Sequence, residues 1–119
     1  MTAPFLFCFG YESPAEFRLN AETGTDFESS TAFWIVSETE SLALEWGGTV
    51  AERFIAWLFE GSNESAYSWL DAKFAHGIAT DPGVIAAADD LPVASAGEVP
   101  PFALLVPRAD AKGTLRSMG

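Results

Sequence analysis

The chain has 119 residues but only one cysteine, one histidine and six basic side chains. Each shortage excludes something. A lone Cys8 cannot close an internal disulfide. With His76 as the sole imidazole, a zinc site could not be assembled without carboxylates. Six cations against seventeen carboxylic acids give a formal net charge of −11. Nucleic acids and anionic membrane surfaces both need Lys and Arg, so neither is an expected partner. No apolar run approaches membrane-spanning length. The opening MTAPFLFCFGYES lacks a basic region, and its apolar run is short and ends in charge. It does not read as a secretory signal, and a cytoplasmic location is the default expectation. G-x-S-x-G, G-x-G-x-x-G and phosphate-loop patterns are also missing, as are internal repeats and low-complexity tracts, and no cofactor is expected.

What is present is core material. Hydrophobic residues make up 49% of the chain, with ten Phe and four Trp. This length and composition fit one domain with one core, expected over residues 1–107, followed by a polar, mobile tail over 108–119 that carries half of the cations. The segment organising that core runs from Ser37 to Phe59 (SETESLALEWGGTVAERFIAWLF). Ser37 and Glu40 have capping-box spacing, so a helix is expected over about 38–59. At the helical period Leu42, Ala43, Trp46, Val50, Phe54, Trp57 and Leu58 form one broad face, with Leu44, Ile55 and Phe59 as a second patch beside it. One sheet covers one side of a helix. The second patch therefore needs cover from later segments (Val84, Ile85, Val93 and the Phe102–Val106 run) or, alternatively, from a second copy in a homodimer. Gly47 and Gly48 inside this helix suggest close backbone packing or a kink.

The Phe5–Tyr11 stretch is aromatic and apolar on both faces, which predicts a central strand. Ser13, Pro14 and Glu16 form a capping box with proline in the first turn, opening a short helix to about Ala21. Glu22 to Ser30 is an acidic loop. Thr31–Val36 is a second strand leading into the main helix, and Glu60–Ser65 is a loop. Residues 66–79 are expected to give a short helix, capped by Ser65 with Tyr67, Leu70 and Phe74 on its apolar side, and then an extended segment. Thr80–Gly83 is a turn, Val84–Asp90 is helical or extended, Leu91–Ala96 is extended, and Phe102–Val106 is a late edge strand between prolines. The expected fold is α+β: a small, mainly antiparallel sheet packed on one principal helix, in the order strand, short helix, strand, long helix, mixed region, strand.

Candidate chemistry is sparse. A Cys8–His76 nucleophile pair is conceivable on residue type alone, but a thiol within an aromatic strand is ordinarily buried and inert. Glu22, Asp26 and Glu28 share a loop, yet their spacing does not match the calcium-loop pattern, and a solvated acidic loop is the better reading. Asp89–Asp90 reads as a pair facing water. No catalytic or metal-binding residue is assigned, and the balance leans against an enzyme. The surface pattern says more. Carboxylates gather between Glu12 and Glu28 and recur at Glu60, Glu64 and Asp71, with Phe27, Tyr67 and Trp69 among them. Aromatic anchors in an acidic field suit a basic protein partner. The expected partner-binding set is Glu22, Asp26, Phe27, Glu28, Glu64, Tyr67, Trp69 and Asp71.

With this size, charge and layout and no catalytic motif, the chain resembles small acidic bacterial immunity proteins that neutralise cognate toxins. The stretches FCFGYESP, TDFESSTAFWI and LEWGGTVAERF resemble small bacterial proteins of uncharacterised role. The resemblance implies a protein that inhibits a basic toxin or enzyme by binding it, and transfers no catalytic residue. Two alternatives belong to other classes. One is a small enzyme or ligand binder with an aromatic pocket at Trp69, Phe74 and His76 and a convergent carboxylate. The other is a structural subunit of a homo-oligomer.

Overall fold

Along the first strand, β1 (Ala3–Tyr11), Phe5, Phe7, Phe9 and Tyr11 alternate with Leu6, Cys8 and Gly10. The pleat therefore puts an aromatic row on one face. In the computed structural model, which describes residues 1–106, this row meets the principal helix, α2 (Glu40–Phe59). Phe54 of α2 stands edge-on to Phe9 and Tyr11, with ring centroids 5.9 and 5.1 Å away. β2 (Ser29–Ser37) runs antiparallel to β1, pairing Phe7 with Phe33 and Phe5 with Ile35, so the row continues across the sheet. β3 (His76–Ile78) pairs antiparallel with the other edge of β1, and β4 (Val93–Ser95) pairs parallel with β2. The order is β3-β1-β2-β4, with β1 and β2 central. The fold is α+β: one small, mainly antiparallel sheet with a long helix packed on it. The tail expected over 108–119 lies outside the described residues.

α1 (Pro14–Thr23) joins β1 to β2 and starts as the sequence predicts. Ser13 Oγ accepts from the Glu16 amide, and Glu16 Oε1 accepts from the Ser13 amide at 2.9 Å. Gly24 closes it at φ 68°, a left-handed conformation that glycine adopts without a Cβ penalty.

The start of α2 differs from the expected one. Thr39, not Ser37, is the cap: its hydroxyl accepts from the Leu42 amide at 3.1 Å. Ser37 is the buried last residue of β2, and its hydroxyl donates to the Thr39 carbonyl. The buried face of α2 matches the expected one in part. Ala43, Val50 and Phe54 are buried as expected, but the face is centred on the small residues Ala43, Gly47 and Ala51, and Leu42, Leu44 and Trp57 are exposed. Gly47 explains the rotation. A Cβ there would stand 2.4–2.7 Å from ring atoms of Phe7, so the backbone of α2 rests directly on the β1 aromatic row.

The second patch is covered within the chain at Ile55 and Phe59, both buried, but not at Leu44. The cover comes in part from the expected Phe102–Val106 run: Leu105 is buried in the same cluster and Phe102 contacts Phe54 at 5.9 Å. The rest comes from Phe17 of α1 and Tyr67, which stand edge-on to Phe59 at 5.7 and 5.5 Å. Val84 and Val93 are exposed instead.

Residues 66–79 give a short helix, α3 (Trp69–Ala72), and then β3, but the cap is Ser68 rather than Ser65. The apolar side is reversed: Trp69 is buried and Leu70 exposed. The Trp69 indole N–H donates to the Gly10 carbonyl at 2.7 Å. The Glu52 carboxylate of α2 accepts from the Trp69 and Leu70 amides and from the Ser68 hydroxyl, which holds this four-residue helix in place. α4 (Pro82–Ala86) is capped by Asp81, whose carboxylate accepts from the Gly83 amide. Phe102–Leu105 is a 3-10 turn and not the expected edge strand, with the Leu104 amide bonded to the Pro101 carbonyl at 3.0 Å. The edge of β2 at Trp34–Val36 is already paired with β4.

Cys8 faces away from α2. The expectation is a buried thiol, but the cover on this face comes from the short α4 and the turn after it, tied down by Trp34 Nε1 donating to the Ala88 carbonyl at 2.8 Å. Cys8 is therefore only half-buried. Burial still pushes its thiol above the ordinary value of 9.0. Because the folded value is the higher one, this contribution to stability is full below pH 9.0 and is lost as pH rises through the folded-state value. Thiol labelling of native protein is expected to run more slowly than in denaturant at every pH up to 9, with the gap narrowing above it. Equal rates in both states would show that the sheet gives Cys8 no protection.

Candidate functional site

The acidic loop after α1 is built on one side chain, Asn20. Its Oδ1 accepts from the Phe27 amide at 2.9 Å and from the Thr25 hydroxyl at 2.8 Å. Its Nδ2 donates to the Phe27 carbonyl at 2.8 Å and to a Glu12 carboxylate oxygen at 2.5 Å. The Asn20 backbone carbonyl accepts from Gly24. Both backbone groups of Phe27 are thus fixed, while its ring is 52% exposed. Glu22, Asp26 and Glu28 flank it along the loop and are exposed. The result is an ordered acidic loop that presents one aromatic ring.

Behind the loop lies Tyr67. Its hydroxyl accepts from the Glu12 amide at 2.6 Å and donates to the Glu12 carbonyl at 3.0 Å. Its ring stacks on Phe17 at 5.9 Å. Burial raises the phenol's pKa. The Glu12 backbone hydrogen bond opposes that shift, and the carboxylates of Glu12, Glu16 and Glu28 add to it. Tyr67 is thus a neutral strut beneath an acidic surface.

The eight expected partner-binding residues do not form one patch. Glu22, Asp26, Phe27 and Glu28 share the loop. Glu64 adjoins α1 through an ion pair with Arg18, 3.0 Å long. Tyr67 supports α1 from inside. Trp69 is core and presents no surface, and Asp71 is exposed on α3. Sequence reasoning missed Asn20, whose partners lie up to eight residues away along the chain. The polar loop residues that follow α1 are the signal that could have drawn attention to it.

A second feature lies along the outer side of α2. A groove of about 420 Å³ is lined by Ser41, Leu44, Glu45, Thr49, Leu70 and His76. Another, of about 400 Å³, is lined by Leu42, Glu45, Trp46, Thr49, Ala96 and Gly97. Both are open to solvent. His76 Nδ1 lies 2.8 Å from the Phe74 carbonyl, and its ring rests against Trp69 at 4.9 Å. Of the three residues expected to line an aromatic pocket, His76 lines the first groove beside Leu44, Leu70 and Glu45, while Trp69 is buried against the His76 ring and Phe74 contacts Tyr67 at 5.5 Å. Among the described residues, no three His, Cys, Asp or Glu side chains converge to hold a metal ion, and no helix is long and apolar enough to cross a membrane.

No family model matches the chain, and comparisons with curated proteins and with solved structures likewise find no match.

Proposed function

We propose that the chain is a non-enzymatic binding protein that holds a basic protein partner against its acidic surface, as an immunity or inhibitor protein holds a basic toxin or enzyme. The observation that carries this reading is the Asn20-anchored loop, with Phe27 exposed among Glu22, Asp26 and Glu28. An exposed aromatic on a fixed backbone loses little conformational freedom when it is buried by a partner. Residues 1–106 carry sixteen acidic side chains and three basic ones, so little internal charge neutralises the field. Such a field speeds encounter with a cationic surface.

A photo-reactive phenylalanine analogue at Phe27 is expected to capture a basic protein from a lysate of the source cell. The same analogue at the exposed Val93 is not. Association of that partner, followed by stopped flow, is expected to slow by about tenfold or more from low to high salt. Glu22→Lys, Asp26→Lys and Glu28→Lys together are expected to slow association more than they speed dissociation. Equal capture at both positions, or an association rate indifferent to salt, would remove the basis of this reading.

A further inference from the structure

From Leu42 to Thr49 the outer side of α2 forms a ridge two turns long, about 10 Å at the helical rise. Glu45 and Thr49 line both flanking grooves and make its crest, with Leu44 in one groove and Leu42 in the other. Leu42, Leu44 and Leu70 are 48%, 38% and 56% exposed. Three large aliphatic side chains on one small surface are partly wet although the chain folds two further segments beside them. α3 rests on α2 through Glu52, and the turn after β4 is tied to it by Trp46 Nε1 donating to the Glu98 carbonyl at 2.7 Å. These anchors form the groove walls and leave the ridge open.

The charge around the ridge selects what can cover it. Glu38, Glu40, Glu45, Asp71 and Glu98 are exposed on the segments that border it. Among the described residues, the basic side chains on the neighbouring segments are Arg53, lying over the Trp46 ring at 5.5 Å, and Lys73 at the end of α3. No Lys or Arg side chain among the described residues lines either groove. A second copy of this chain would bring another −11 charge to the same acidic border, which like-charge repulsion disfavours.

We infer that this ridge is a second docking surface, fitted to a cationic amphipathic helix of a partner protein, whose apolar side chains enter the two grooves while its Lys or Arg residues face Glu45 and the acidic border. The inference rests on the reading that the chain binds a basic protein, and adds a surface separate from the Phe27 loop. Helix-in-groove recognition uses this combination of apolar anchors and rim charge.

The test uses the full chain and a synthetic amphipathic helix made only of leucine and lysine. The probe is expected to bind the native protein, and the Leu42→Ala/Leu44→Ala/Leu70→Ala variant is expected to bind it about tenfold or more weakly. All three leucines are exposed, so circular dichroism of the variant is expected to match the parent. Glu45→Lys should weaken binding too, and the same helix with glutamate in place of lysine should not bind. The inference is overturned if the probe fails to bind, if the alanine variant binds it as well as the parent, or if oligolysine without leucine binds equally. It is also overturned if sedimentation shows a dimer of the native chain that the alanine variant abolishes, since the ridge would then be covered by a second copy. If Phe27→Ala abolishes probe binding and the ridge variant does not, the helix docks at the loop. The ridge then carries no partner, while the function proposed above stands.

Discussion

Ile55→Asp is expected to unfold the protein. Ile55 is fully buried in the cluster that includes Phe54, Phe59 and Leu105, on the side of α2 covered by segments of the same chain. The substitution forfeits about 1.5–3 kcal/mol of apolar burial. It also places a carboxylate among aromatic and aliphatic side chains, where the effective penalty is several kcal/mol. Together these are comparable to the roughly 5–15 kcal/mol by which domains of this size are stable. Ile55→Val removes one methyl group at the same position and is expected to cost only about 0.5–1.5 kcal/mol, leaving a cooperative fold. Circular dichroism and urea titration of the two variants make the comparison. A folded monomeric Ile55→Asp would mean that later segments do not seal this side of α2. A fold that appears only as a monomer released from a parental dimer would place a partner copy there.

The second large effect is at Gly47. Alanine is ordinarily better than glycine inside a helix by about 1 kcal/mol. Here the added Cβ would lie 2.4, 2.5 and 2.7 Å from Phe7 Cδ1, Cγ and Cδ2. The Phe7 ring is itself hemmed in by Phe9, Phe33 and Trp69, at 5.5, 6.1 and 6.5 Å, so it cannot retreat without disturbing the aromatic row. Overpacking of this kind costs about 1–3 kcal/mol and outweighs the propensity gain. Gly47→Ala is expected to lower stability by about that amount, and Gly47→Val by more. Gly48 is the internal control. A Cβ there meets Leu70 Cδ2 at 3.5 Å and Trp69 at 3.8 Å, which is ordinary contact. Gly48→Ala is expected to be neutral or stabilising by up to about 1 kcal/mol. If the two alanine variants melt alike, the close approach of α2 to β1 is not what fixes their packing. A Phe7→Leu background should shrink the cost of Gly47→Ala, because the two positions share one contact.

These glycines also mark where the sequence was legible. The two central strands, the α1 capping box and the long helix depend on neighbours within a few residues, and the pattern of side chains carries that information. The face of α2 was legible only in part. The helical period places Ala43, Val50 and Phe54 inward, as they are found, but it places Leu42 and Trp57 there too, whereas Gly47 and Ala51 take the centre, because the volume between helix and sheet is filled by phenylalanines from β1 and β2. The apolar run at Phe102–Val106 has strand composition, yet it forms a 3-10 turn that puts Leu105 into the core, and composition alone does not separate the two. Trp69 looks the same in the sequence whether it is an anchor or a core residue, and only its bond to Gly10, 59 residues away, decides. At the candidate site, the composition of the acidic loop was readable and its order was not. Two of the four side-chain hydrogen bonds of Asn20 fix the Phe27 backbone and the other two tie in Glu12 and Thr25, and no periodicity reports them.

The parallel pairing of β4 with β2 has a consequence for synthesis. Both central strands and the whole of α2 have left the ribosome once Phe59 has emerged, and their mutual contacts need nothing later in the chain. The ladder at Trp34–Val36 must wait for Val93–Ser95. Until then the growing polypeptide displays an unsatisfied β2 edge beside the Trp34 indole, whose acceptor is the later Ala88 carbonyl, and before His76–Ile78 emerge the outer edge of β1 is open as well. An open edge of this kind is a template for pairing with another chain. The window in which a nascent copy is vulnerable to its neighbours is thus set by the time needed to translate the 36 residues from Glu60 to Ser95.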